Sequence, residues 1–175
     1  MHDDFPWNVP TSTSAAAEAA VVTRPDFWTS LLFKRIVGDG VLPTKTTGAG
    51  GNVPKLLSYC HCSRRFKQGL AFLFVNTANV ATNVDFKFAG VAAGARWNAI
   101  RYDLSPGAHT SAAEPSIALN GKMLAIYKTD SGWELPSLAG IDLTNSPEAP
   151  TKSLVVAAKR YLFLELPSAA IAVCV

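Results

Sequence analysis

Charge is scarce in this sequence. Only 17% of its 175 residues are Asp, Glu, Lys or Arg, against about 25% in an ordinary globular chain. Sixteen basic and thirteen acidic side chains leave a net +3, far short of the basic surface that nucleic acid demands. Long apolar runs are missing too. None approaches the roughly 18 residues of a membrane-spanning helix. Met1 is followed by His2, Asp3 and Asp4, where a secretory signal would place positive charge and then an apolar run. The stretch from Ala15 to Val22 is short and broken by Glu18. There is no Asn-x-Ser/Thr acceptor, Gly-rich phosphate loop, internal repeat or heptad.

Cysteine is equally sparse, at three residues: Cys60, Cys62 and Cys174. The Cys60-His61-Cys62 step suggests half a zinc site, but a second ligand pair at loop spacing is lacking, and His2 and His109 stand alone. The expectation is no metal and no cofactor, with His61 and His109 as hydrogen-bonded scaffold residues. The odd count allows either one disulfide with a spare thiol or buried free thiols.

Apolar residues, in contrast, make up 49% of the chain, enough for a true core. Residues 1–22, with Pro6, Pro10 and a Thr/Ser cluster, read as a poorly ordered leader. A helix follows. Pro25 suits a first helical position and Asp26 the positive end of the dipole. Phe27, Leu31 and Leu32, then Trp28 and Ile36, recur at three-to-four spacing. Lys34 and Arg35 fall in the last turn, and Gly38 is the natural stop. Beyond the Gly/Thr-rich loop from Pro43 to Pro54, short β-type runs alternate with turn residues. They are Leu56–His61, Leu70–Asn76, Val84–Phe88, Arg96–Leu104, Ile117–Leu119, Met123–Tyr127, Tyr161–Leu166 and Ala169–Cys174. Asn120-Gly121, tolerant of positive φ, predicts a tight hairpin turn. About eight short strands with regular turns predict a mainly β fold, a sandwich or open barrel, preceded by one helix.

Several of these runs resemble a known family. Arg24-Pro-Asp-Phe-Trp-Thr-Ser-Leu-Leu-Phe-Lys-Arg-Ile-Val-Gly38 resembles the last barrel helix of heparanase-like proteins, glycoside hydrolase family 79. Tyr59-Cys60-His61-Cys62 and the run from Gly69 to Asn76 resemble the strands that follow it. Leu119-Asn-Gly121, Leu135-Pro136 and the ending Ala172-Val-Cys-Val175 are similar to its later turns and C-terminus. The resemblance covers about residues 23–175. It implies a terminal barrel helix over 23–40 and a C-terminal β-sandwich over 41–175, behind a (β/α)8 barrel that is truncated here. The family's activity is retaining hydrolysis of glucuronides, heparan sulfate included, by two glutamates at strand ends of the barrel. One of them lies in an Asn-Glu step, and this sequence contains none. Only Asp3, Asp4 and Glu18 are acidic before the helix, so no catalytic residue is carried over and the chain alone is expected to be inactive.

The same resemblance implies a disulfide between Cys62 and Cys174, with Cys60 a second partner for Cys174 by position, and an extracellular or lysosomal setting, with membrane association left open. Its partners would be the upstream barrel domain and, through the full-length enzyme, a glycan such as heparan sulfate. Phe27, Trp28, Leu31 and Leu32 are then packing residues between helix, barrel and sandwich. The barrel-facing side of the helix would leave an exposed apolar patch, and a missing strand an open edge, so poor solubility is expected. Two surface features invite a glycan reading in their own right. Arg64, Arg65 and Lys67 form a basic turn suited to sulfate, and Trp97 with Trp133 could offer a stacking platform for sugar rings. A stand-alone carbohydrate-binding or adaptor sandwich is therefore the alternative to a piece of an enzyme.

Overall fold

In a computed structural model the described residues are 23–47, 55–85, 98–107, 116–143, 153–167, 169 and 172–174. One helix, α1 (Pro25–Ile36), opens this part and runs straight into strand β1 (Val37–Leu42). The helix ends two residues short of Gly38, because Val37 is already extended (φ −88°, ψ 125°) and pairs with Ser63. The remaining strands are β2 (Leu56–Ser63), β3 (Leu70–Asn76), β4 (Thr82–Asp85), β5 (Ile100–Pro106) and β6 (Ile117–Leu119). They continue with β7 (Lys122–Met123), β8 (Tyr127–Thr129), β9 (Gly132–Glu134), β10 (Ile141–Asp142), β11 (Ser153–Val156) and β12 (Arg160–Leu166).

Eight strands form one sheet in the order β1-β2-β3-β12-β5-β6-β7, with β10 on the first half of the β5 edge; β4 pairs with β11 and β8 with β9. Every pairing among the described residues is antiparallel. Strand alternation sends side chains to two opposite faces, and each face has its own core. On one face Cys60, Phe72, Phe74, Leu162, Leu164 and Leu166 pack with Leu154 and Val156 of the small β4–β11 sheet. On the other, Ala71, Tyr102, Leu104 and Phe163 pack with Trp28, Leu32 and Ile36 of α1. The result is a mainly β fold, not closed into a barrel, consistent with a β-sandwich and a helix laid across its outer side.

Asn120 (φ 52°) and Gly121 (φ 79°) make the predicted hairpin turn between β6 and β7. Three local readings need correction. The run Met123–Tyr127 is not one strand: β7 ends at Met123, Leu124 and Ile126 turn into the helix-side core, and Tyr127 begins a separate hairpin. Ala172 and Val173 lie in a turn, not a strand, with Cys174 buried just beyond it. β1, β9, β10 and β11 are absent from the sequence reading because they are short, or Gly-rich like β1, and their pairing partners supply the stability.

Candidate functional site

The most polar feature of the core is built on β12. Its alternation sends Leu162, Leu164 and Leu166 to the small-sheet side, so Tyr161, Phe163 and Glu165 face the helix side. A carboxylate therefore occupies an apolar position, and Glu165 is fully buried. Three donors satisfy it. The Ser63 hydroxyl donates to Oε1 at 2.8 Å; Arg65 Nη1 and the Tyr102 hydroxyl donate to Oε2, each at 3.0 Å. Arg65 also donates to the Tyr102 oxygen. The Ser63 oxygen in turn accepts the backbone N–H groups of Arg65 (3.1 Å) and Phe66 (3.2 Å). That short turn aims the guanidinium inward, where it also lies 5.0 Å from the centre of the Phe66 ring. Burial, and then the adjacent Glu165 charge, push the Tyr102 hydroxyl up to about 12, so it donates at neutral pH. Chemically the cluster is a clamp between the β2–β3 turn, β5 and β12: a buried charge is tolerable only when paired and hydrogen-bonded.

The neighbouring Arg64 is also engaged. Its Nε donates to the Val37 carbonyl at 3.1 Å, its Nη2 lies 3.4 Å from Asp39, and its backbone N–H donates to the Ile36 carbonyl at 2.9 Å. It thus secures the junction of helix and first strand. Lys67 of the basic turn is exposed and has no such role among the described residues. The sequence reading missed Glu165, although an acidic residue inside Tyr161–Leu166 was the signal that the inward arginine completes.

Cys62 and Cys174 are joined by a disulfide, with Cα atoms 5.2 Å apart and 112 positions between them in sequence. The Gln68 N–H donates to the Cys174 carbonyl at 2.6 Å and adds a second tie to the tail. Cys60 is the free, buried cysteine; burial raises its thiol to about 12. His61 points to the opposite face, edge-on to Phe33 with ring centres 5.8 Å apart. Its Nδ1 is buried without a partner among the described residues. The Cys-His-Cys step is thereby divided between a disulfide, an apolar core and the helix side of the sheet.

Trp133 is half-exposed on the β8–β9 hairpin, directly across from Lys128. Trp97 and His109 lie outside the described residues. On α1, Trp28 and Leu32 are fully buried against the chain's own sheet, with Phe27 and Leu31 partly buried beside them. Asp26, Ser30, Lys34 and Arg35 occupy the outer side. The apolar patch expected on that outer side is not found: the stripe is used internally, and Phe33 is the large apolar residue of the helix that stays exposed.

The architecture defines a class: a disulfide-tied, mainly β chain with one amphipathic helix across its principal sheet. No protein-family profile matches the chain. It is 30% identical over 156 residues to a heparanase of Mus musculus and 28% identical over 156 residues to a heparanase of Bos taurus, in each case 86% of this chain. It is also 26% identical over 149 residues to a baicalin-β-D-glucuronidase of Scutellaria baicalensis, covering 83% of this chain. The chain is thus a heparanase-like protein in sequence. It spans about a quarter of the length of these relatives: 26% of each heparanase and 24% of the glucuronidase.

Proposed function

We propose that this chain is the non-catalytic, C-terminal β-sandwich part of a heparanase-like glycosidase, bracing the barrel that carries the chemistry. The observation that carries this reading is the match over most of this chain to enzymes about four times its length. Two features support it. The sequence holds no Asn-Glu step, and its fully buried glutamate, Glu165, is saturated by Ser63, Arg65 and Tyr102 and has no lone role as acid or nucleophile. The substrate would be a glucuronide-containing glycan, acted on by the whole enzyme in an extracellular or lysosomal compartment. The Cys62–Cys174 bond fits such an oxidising setting. The test is turnover of a β-glucuronide by the purified chain, expected to be nil; hydrolysis that survives repurification would overturn the reading.

A second reading, a glycan-binding sandwich, is favoured by one observation: Trp133 is half-exposed and shares a hairpin face with Lys128. A ring for stacking beside an ammonium for a carboxylate or sulfate suits an acidic sugar. Titration with heparin and with a neutral glucan separates the two. Binding of heparin that is lost in Trp133→Ala would favour the second reading.

A further inference from the structure

Three sulfur atoms share one core. Cys60 and Cys174 are buried on the small-sheet side, and Cys62 packs against the same cluster. Cys62 and Cys174 are bonded, and Cys60 is not. Alternation brings the two β2 cysteines together, since residues two positions apart face the same way. Strand β1, at the edge of the sheet, lies alongside both. Leu42 stands directly across from Cys60 and packs on its core. Gly40 lies against the bridge, where a methyl group would sit 2.7 Å from Cys62 Sγ. This cover is thin: Asp39 and Gly40 are exposed, Val41 is 72% exposed, and the register with β2 shifts between Val37 and Val41. Segments with so little buried are the ones that open locally.

From this we propose that Cys60 is a resolving thiol for the bridge, exchanging Cys62–Cys174 for Cys60–Cys174 whenever β1 opens. The Cys60 thiolate attacks Cys174 Sγ, the bond to Cys62 breaks, and the Cys62 sulfur leaves with the electron pair and takes up the proton that Cys60 gave up. One disulfide and one thiol stand on each side, so no oxidant or reductant is consumed. Attack on Cys62 instead is closed off by geometry. Two same-face Cβ atoms of an extended strand lie about 6.7 Å apart, whereas a disulfide holds them at about 3.5–4.5 Å. Cys174 escapes that limit, because it follows a turn at 172–173 and is in no ladder among the described residues. The step gives up the Gln68–Cys174 hydrogen bond, which keeps the Cys62 bridge the major form. Burial holds the Cys60 thiol near 12, against an ordinary value of 9, so exchange is shut while β1 is in place and starts on its opening. The edge strand thereby gates a redox switch that works without an added partner.

The experiment maps disulfide-linked peptides in the oxidised full chain by mass spectrometry. The chain is held at about pH 9 without reductant, and free thiols are blocked with N-ethylmaleimide at successive times. The expected result is a Cys60–Cys174 peptide pair that grows to roughly 1–10% of the bridge, the population of an ordinary minor state, at a rate independent of protein concentration. Cys60→Ser should abolish it. Leu42→Ala, which strips the cover from Cys60 at a partly buried edge position, should speed its growth about tenfold. The far-ultraviolet circular dichroism of this variant should match that of the parent, and Leu42→Val serves where it does not. A bridge that maps to Cys62 and Cys174 alone in the unaltered chain at every time would overturn the exchange. So would a rate that rises with protein concentration, since the attacking thiol would then belong to a second chain. Equal rates in the parent and the Leu42 variant would overturn β1 as the gate.

Discussion

Arg65 shows how one side chain can be read two ways. Beside Arg64 and Lys67 it looks like an anion site, yet its charge is spent on Glu165. Removing the cation leaves a fully buried carboxylate with only the Ser63 and Tyr102 hydroxyls. Arg65→Met is expected to destabilise the fold by about 3 kcal/mol, the cost typical of breaking a buried pair from one side, measured as a shift of the urea midpoint. Heparin affinity should change little. The same neighbourhood sets an alkaline limit. Tyr102 and Cys60 both rise to about 12 in the folded chain, from 10 and 9. A raised pKa means the folded state holds its proton after the unfolded state has lost it. Stability from these groups is therefore complete below pH 9 and lost as pH climbs from 9 to 12. The melting temperature should fall across that window, less steeply in Cys60→Ala, and a flat profile would contradict the burial of these groups.

Among the elements, the hairpin and the tail make the sharpest cases. Asn120 and Gly121 both sit at positive φ, so Gly121→Val should cost about 1–2 kcal/mol by forcing a β-branched residue into that region. Such turn chemistry is local, which is why this turn and the helix from Pro25 were legible in the sequence. β11 was not legible: Leu154 and Val156 become a strand only because β4 lies opposite them. The end of the chain misled for a related reason. Ala169 and Cys174 are buried like strand residues, but what holds Cys174 is the disulfide and the Gln68–Cys174 hydrogen bond, with no ladder to it among the described residues. Reduction of that bridge opens a loop of 112 residues and is expected to lower stability by roughly 4–5 kcal/mol in the chain-entropy treatment. Thiol counting in urea should give one reactive thiol before reduction and three after it.

Over the whole molecule, the class of fold was legible because about eight punctuated apolar runs after one helix leave few arrangements besides a sandwich or open barrel. The use of the helix was not. Its sequence is apolar on more than one side, which suggested an outer patch facing a barrel. In three dimensions Trp28, Leu32 and Ile36 close the chain's own core, and the exposed apolar side chains Leu57, Tyr59 and Tyr161 lie instead on the sheet beside them. Neither the clamp around Glu165 nor this grouping of exposed side chains could be seen in one dimension, since each gathers residues about 100 positions apart, as in Arg65–Glu165 and Leu57–Tyr161. Exposed Leu57, Tyr59 and Tyr161 share the helix-side face of β2 and β12, and Tyr59→Lys with Tyr161→Lys should raise the concentration at which the chain aggregates, read by light scattering.

The most direct test of the central claim is a turnover measurement on the purified, folded chain with a fluorogenic β-glucuronide and with heparan sulfate. No release above the buffer blank is the expected result for a brace without its catalytic partner. Steady hydrolysis that co-purifies with the chain through repurification would contradict it.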